Sequence, residues 1–186
     1  CAYGVGAIVD LPYLSALVMG LDDWTGMNNV QPISEERLLA AVQQQLGEQV
    51  QQLLPPPVPA AGGNRPTPTD PDWGIGVPVV SFPRWLLCTR CQRLAPLSSN
   101  TFQLEADDWR PERSKYVHRN CQRSTNAPAV PARFLVACPH GHLDDFPWFE
   151  FVHGGVPCER PLLRLIESGA SGEARADRHP HARRHE

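Results

Sequence analysis

Apolar positions along the first part of the chain change their period once. In "GVGAIVDLPYLSALVMGLDDW" two apolar runs, residues 7–11 and 15–21, flank Pro12 and Tyr13. Runs this short, bounded by proline and glycine, predict two strands with a turn between them. From Ser34 the spacing lengthens. In "SEERLLAAVQQQLGEQVQQLL" the residues Leu39, Val42, Leu46, Val50 and Leu53 recur at steps of three, four, four and three, which is one face of an α-helix. Ser34 is the expected N-cap, and Glu35 and Glu36 suit the positive end of the helix dipole. Gly47 is expected to weaken the middle of that helix slightly, and the glutamine-rich opposite face to meet water.

Periodicity stops after Leu54. "PPPVPAAGGNRPTPTDPDWG" can only be a linker or a surface loop, and many of the 20 prolines fall there. "VPVVSFPRWLL" resumes as an extended segment, with Pro83 at an edge or bulge. Residues 88–151 are rich in cysteine and aromatics but poor in long apolar runs, so a metal is expected to help hold them folded. "PLLRLIESGASG" reads as a helix cut short. The tail "ARADRHPHARRHE" holds four arginines and three histidines without apolar period, as a disordered tail or a shift of reading frame near Gly172 would produce.

The pattern therefore predicts an α+β chain of short strands and one amphipathic helix, followed by a small zinc-ribbon-like module, together an incomplete domain. Its expected parts are a strand-hairpin and helix segment (residues 1–54), a Pro-rich linker (55–73), the Cys/His module (74–160), and a helix start with the atypical tail (161–186). Because the chain opens on Cys1, its true N-terminus is expected to lie upstream.

Charge refines this picture. Residues 1–54 carry six acids against one arginine, whereas residues 84–142 carry nine bases against four acids. The overall charge of -3 excludes a wholly basic nucleic-acid binder, so the middle segment is the candidate phosphate-facing surface. A solvated basic face is the alternative. No apolar run spans a bilayer and no signal peptide is visible. With that, the six cysteines favour metal ligation in a reducing cytoplasm over a disulfide framework.

Two Cys-containing pairs share a two-residue spacer: "CTRC" (Cys88, Cys91) and "HRNC" (His118, Cys121). Three sulfurs and one imidazole complete a structural zinc set with no open position. A redox role for "CTRC" would need a thioredoxin-like strand and helix that the flanking residues do not supply. Cys138, His142 and Cys158 are candidates for a second ion or a structural role. "HGHLDD" also approaches the His-x-His-x-Asp-His pattern of metallo-β-lactamase-type hydrolases, which would enlist His140, His142, Asp144 and His153, but Asp145 stands where the last histidine belongs. The simplest reading of the acids is structural. Asp144 and Asp145 cap a helix running through "FPWFEFVH", while Phe146, Pro147, Trp148 and Phe149 bury.

"YGVGAIVDLP", "GLDDW", "FPRWLLCTRC" and above all "PARFLVACPHGHLDDFPWFEFVH" resemble the N-terminal part of the DrmB-like subunits of the bacterial DISARM anti-phage system. Those are helicase-associated proteins with a C-terminal domain of unknown function, which the resemblance leads us to expect is absent from this chain. The resemblance covers roughly residues 2–171, the Pro-rich stretch being uninformative. It implies a non-catalytic role beside a helicase-like DrmA-type subunit on foreign DNA, in the cytoplasm. No phosphate loop and no Asp-Glu-x-His box is present, so no ATPase machinery is expected. Arg84, Arg90, Arg93, Arg119 and Arg123 are the candidate contacts to phosphate or to a partner's acidic face. Competing readings are the metallohydrolase, and a metal-free interaction module docking through the helix at 34–54.

Overall fold

A computed structural model of the chain describes residues 4–27, 30–59, 74–107, 110–156, 162–168 and 173–178. The chain forms two compact units, Cys1–Ala7 with Leu17–Val80 and Ile8–Ala16 with Ser81–Glu186. The class is α+β, mainly antiparallel sheet. Strands β1 (Ile8–Asp10), β2 (Ser15–Val18) and β3 (Val79–Ser81) form a small sheet in the order β1-β2-β3. The first two lie inside the predicted runs, and the Leu11 N–H bonds the Leu14 carbonyl across the predicted turn.

In the first unit the helix α1 spans Glu36–Leu46, shorter than its apolar period suggests. Gly47 ends it rather than weakening it: its φ of 98 is open to glycine and avoided by side chains. Val50 and Leu53 therefore belong to a segment that folds back along the helix, where the Gln43 side chain donates to the Val50 carbonyl and Ile33 N–H to the Leu53 carbonyl. Leu39, Val42, Val50 and Leu53 are still half-buried, while Leu46 is exposed. The cap differs too, since the Glu35 carboxylate, not Ser34, accepts the Arg37 N–H.

The second unit is built on seven antiparallel strands: β4 (Trp85–Cys88), β5 (Arg93–Pro96), β6 (Gln103–Glu105), β7 (Lys115–His118), β8 (Ala127–Pro131), β11 (Leu163–Ser168) and β12 (Glu173–Arg178). Their order is β12-β11-β5-β4-β8-β7-β6. A separate hairpin pairs β9 (Leu135–Ala137) with β10 (Leu143–Asp145), and helix α2 (Trp148–His153) follows.

Strand alternation gives this sheet two apolar faces. Trp85 and Leu87 of β4 share one with Leu94, Leu163 and Leu165, covered by Trp148, Phe149 and Val152 of α2. Leu86 and Cys88 point the other way, joining Ala95, Phe102, Ala127 and Ala129. A sheet of short strands with an apolar cluster on each face needs no long apolar run, which explains why residues 88–151 looked core-poor.

Two expectations are corrected here. Residues 163–168 form a strand, not the start of a helix, because Leu163 and Leu165 bury at period two while Arg164 faces the other side. Strand β11 bonds β5 on one side and β12 on the other, so the module continues past residue 160, and residues 173–178 of the tail are ordered into the sheet. Residues 60–73 of the linker and residues 179–186 of the tail lie outside the described residues. The acids are the second correction. The N-cap of α2 is Pro147 with no side-chain cap, and Asp144 and Asp145 belong to β10.

Candidate metal centre

Cys88 ends β4, and Cys91 sits in the tight turn to β5, where the Gln92 N–H returns to the Cys88 carbonyl at 2.9 Å and Gln92 takes a φ of 61. His118 ends β7, and the Cys121 N–H bonds the His118 carbonyl at 3.4 Å. Strand β8 pairs with both β4 and β7. That register brings the two knuckles side by side at one end of the sheet, and one donor atom from each of Cys88, Cys91, His118 and Cys121 lies within 4.8 Å of every other.

The spacing suits a tetrahedral ion. Donors about 2.3 Å from a zinc sit roughly 3.8 Å apart, and the Cys88 and Cys121 sulfurs are 3.9 Å apart, with Cys91 Sγ 3.4 Å from His118 Nδ1. Cys88 is buried and the other three half-buried. These four can hold a metal ion.

The site's electrostatics follow from burial and crowding. Burial, reinforced by the neighbouring Cys88 sulfur against a bond from the Arg93 backbone, pushes the Cys91 thiol up to about 11. Cys121 is also penalised by desolvation, yet the backbone N–H groups of Arg123 and Ser124 and the neighbouring thiols draw it below the usual thiol range. Burial lowers His118, and the charge of Arg93 lowers it further, which favours the neutral imidazole a metal needs. A divalent ion with three thiolates and an imidazole carries one net negative charge, and Arg93 stands close enough to Cys91 to feel it.

The "HGHLDD" stretch is arranged differently. His140 and His142 are exposed in the β9–β10 turn, whereas His153 is buried on α2. Cys138 and His142 do meet, with Sγ 3.2 Å from Nδ1, across a turn whose Gly141 has a φ of 86. Cys158 lies outside the described residues. Among the described residues the Cys88 cluster is the single group of three or more potential metal donors.

The two aspartates clamp the hairpin to β4. Asp145 accepts the Arg84 backbone N–H at 2.8 Å and its Nε at 2.7 Å, and Asp144 accepts a second guanidinium nitrogen at 2.8 Å. These bonds raise the Arg84 pKa, Asp145 contributing most. Beyond them Phe146, Trp148 and Phe149 pack with Trp85 and Phe134, the Trp85–Phe149 rings meeting edge to face at 4.8 Å. "GHLDDFPW" is thus a hairpin, an ionic clamp and an aromatic anchor in sequence.

Of the five candidate phosphate-contacting arginines, Arg84 is occupied by these acids. Arg90, Arg119 and Arg123, each next in sequence or two away from a residue of the Cys/His cluster, are exposed, and an Arg123 nitrogen donates to the Arg90 carbonyl. Arg93 is half-buried and lines a cavity beside Cys91 and His118. The sequence reading missed the neutral polar residues of that cavity and Arg164. They come from separate segments that only the sheet brings together.

A family model described as a domain of unknown function (DUF8724) matches residues 1–178, and the chain belongs to that family. The match continues past Gly172, where a shift of frame was expected. The chain is also similar to the DISARM protein DrmB of Bacillus paralicheniformis (strain ATCC 9945a / NCIMB 11709 / CD-2), 33% identical over 96 residues. That segment is 50% of this chain and 16% of the relative's length. Among the described residues, no helix is long and apolar enough to cross a membrane.

Proposed function

We propose that this member of the family is a zinc-stabilised, non-catalytic segment of a DISARM-type anti-phage complex, supporting a helicase-like partner on foreign DNA in the cytoplasm. The observation that carries the reading is the closed Cys88, Cys91, His118 and Cys121 set, which joins two hairpins of the sheet and keeps no position open for a substrate or water. Similarity to DrmB supports the setting, and the exposed Arg90, Arg119 and Arg123 beside the cluster supply a basic surface for phosphate or a partner's acids. Zinc is favoured because its ligand preference is for sulfur and imidazole in tetrahedral array.

Metal content per chain, measured by elemental analysis with and without Cys91→Ser, tests this. One zinc that is lost in the variant together with the fold is the expected result. Two metals, or one that persists in the variant, would move the site to Cys138 and His142 and favour the hydrolase. DNA affinity should fall steeply with added salt if the arginines meet phosphate. A flat salt dependence rules that contact out.

A further inference from the structure

Arg93 of β5 and Arg164 of β11 stand opposite each other in register, on the same face of the sheet. Like charges paired across strands repel, the more so when half-buried. On its other side Arg164 stands opposite Asp177 of β12, whereas Arg93 forms no ion pair with any carboxylate whose side chain is described. Arg164 donates one nitrogen to the Gln92 side chain at 3.2 Å, but the Nε of each arginine is buried without a hydrogen-bond partner. The buried Arg93 Nε, left open in this way, calls for an anionic acceptor.

Space for one adjoins Arg93. Arg93 lines a cavity of about 450 Å³ whose walls include Ser99, Asn100, Thr101, Asn120 and Gln122. That volume is within the roughly 300–1,000 Å³ of small-molecule sites. Among the described residues the lining holds hydroxyls, amides and a guanidinium, with Cys91, His118 and Leu162 completing it, and no carboxylate. This is the chemistry of an oxyanion site, a charged anchor with neutral donors around it.

We propose that this cavity binds a phosphate group, with Arg93 as the charged anchor and Asn100 and Thr101 giving neutral hydrogen bonds from the cavity wall. The phosphate belongs either to a small phosphorylated compound or to a nucleic-acid end. The site goes beyond the functional reading above, because the exposed Arg90, Arg119 and Arg123 can meet backbone phosphate whether or not the cavity is used.

The test is calorimetric titration of the full chain with inorganic phosphate, and with one short oligodeoxynucleotide carrying either a 5′-phosphate or a 5′-hydroxyl. Arg93→Gln removes the anchor. Asn100→Asp puts a like charge on the wall at an exposed position whose φ of 55 aspartate tolerates, and so spares the fold and the metal. Each variant should weaken phosphate binding about tenfold or more. A preference for the 5′-phosphorylated oligonucleotide that Arg93→Gln abolishes supports the site and identifies a nucleic-acid end as the source. Phosphate binding without that preference supports it with a small compound as the source. Absence of phosphate binding to the unaltered chain overturns the proposal. So does Arg93→Gln releasing the metal while Asn100→Asp binds phosphate unchanged, which would limit Arg93 to balancing the thiolate charge.

Discussion

Asp144 and Asp145 are adjacent, alike in chemistry and bonded to the same arginine, yet their environments make them unequal. The Asp145 side chain is 8% exposed and satisfies both the backbone and the side chain of Arg84, whereas the Asp144–Arg84 pair is exposed at both ends. Asp145→Ala should therefore cost about 1–3 kcal/mol by removing two hydrogen bonds, one of them charge-assisted, from a nearly buried carboxylate, and Asp144→Ala about 1 kcal/mol or less. Urea unfolding of the two variants checks the order, and equal losses would show that the clamp is not anchored at Asp145. Trp148, 3% exposed and packed on Trp85, is the larger anchor. Trp148→Ala should lose roughly 3–5 kcal/mol. At this scale "CTRC" and "HRNC" were legible because each knuckle closes within one turn. The partners of Asp144 and Asp145 were not, because Arg84 lies about sixty residues away.

Helix α1 and strand β11 mark where pattern and element part. The stripe from Leu39 to Leu53 predicts one helix, and a single backbone angle at Gly47 divides it. Gly47→Ala should destabilise the first unit by about 1–3 kcal/mol, since that φ and ψ are nearly closed to side chains. Hydrogen exchange of the α1 amides would report it, and unchanged protection would mean the turn can rearrange. In β11 the leucines at 163 and 165 alternate with Arg164, a period-two signal too short to outweigh the helical look of "LLRLIES". Leu165→Ala, at a side chain 1% exposed, should cost about 2–5 kcal/mol. A loss below 1 kcal/mol would say that the strand is dispensable to the sheet.

For the molecule as a whole, a metal held by the Cys/His set should contribute to the second unit's stability, because the four donors come from two hairpins that meet where β4 pairs with β8. A chelator should lower the melting temperature by on the order of 10 °C, the shift expected when a ligand at a thousandfold excess over its Kd is removed from a chain this size. A melting curve untouched by chelation would favour the metal-free interaction module. By itself the sequence determined what depends on neighbours along the chain: the first two strands, the α1 region, both metal knuckles, the aromatic run of α2 and the extended path into β4. Only the tertiary structure decided which side chains are joined across distance. It brought the knuckles together through β8, gave Asp144 and Asp145 to Arg84 instead of a helix end, drew residues 163–168 and 173–178 into the sheet, and set Arg93 against Arg164. The physical reason is that local backbone preferences act over one or two turns, whereas sheet register, burial and charge pairing are settled only when distant segments meet.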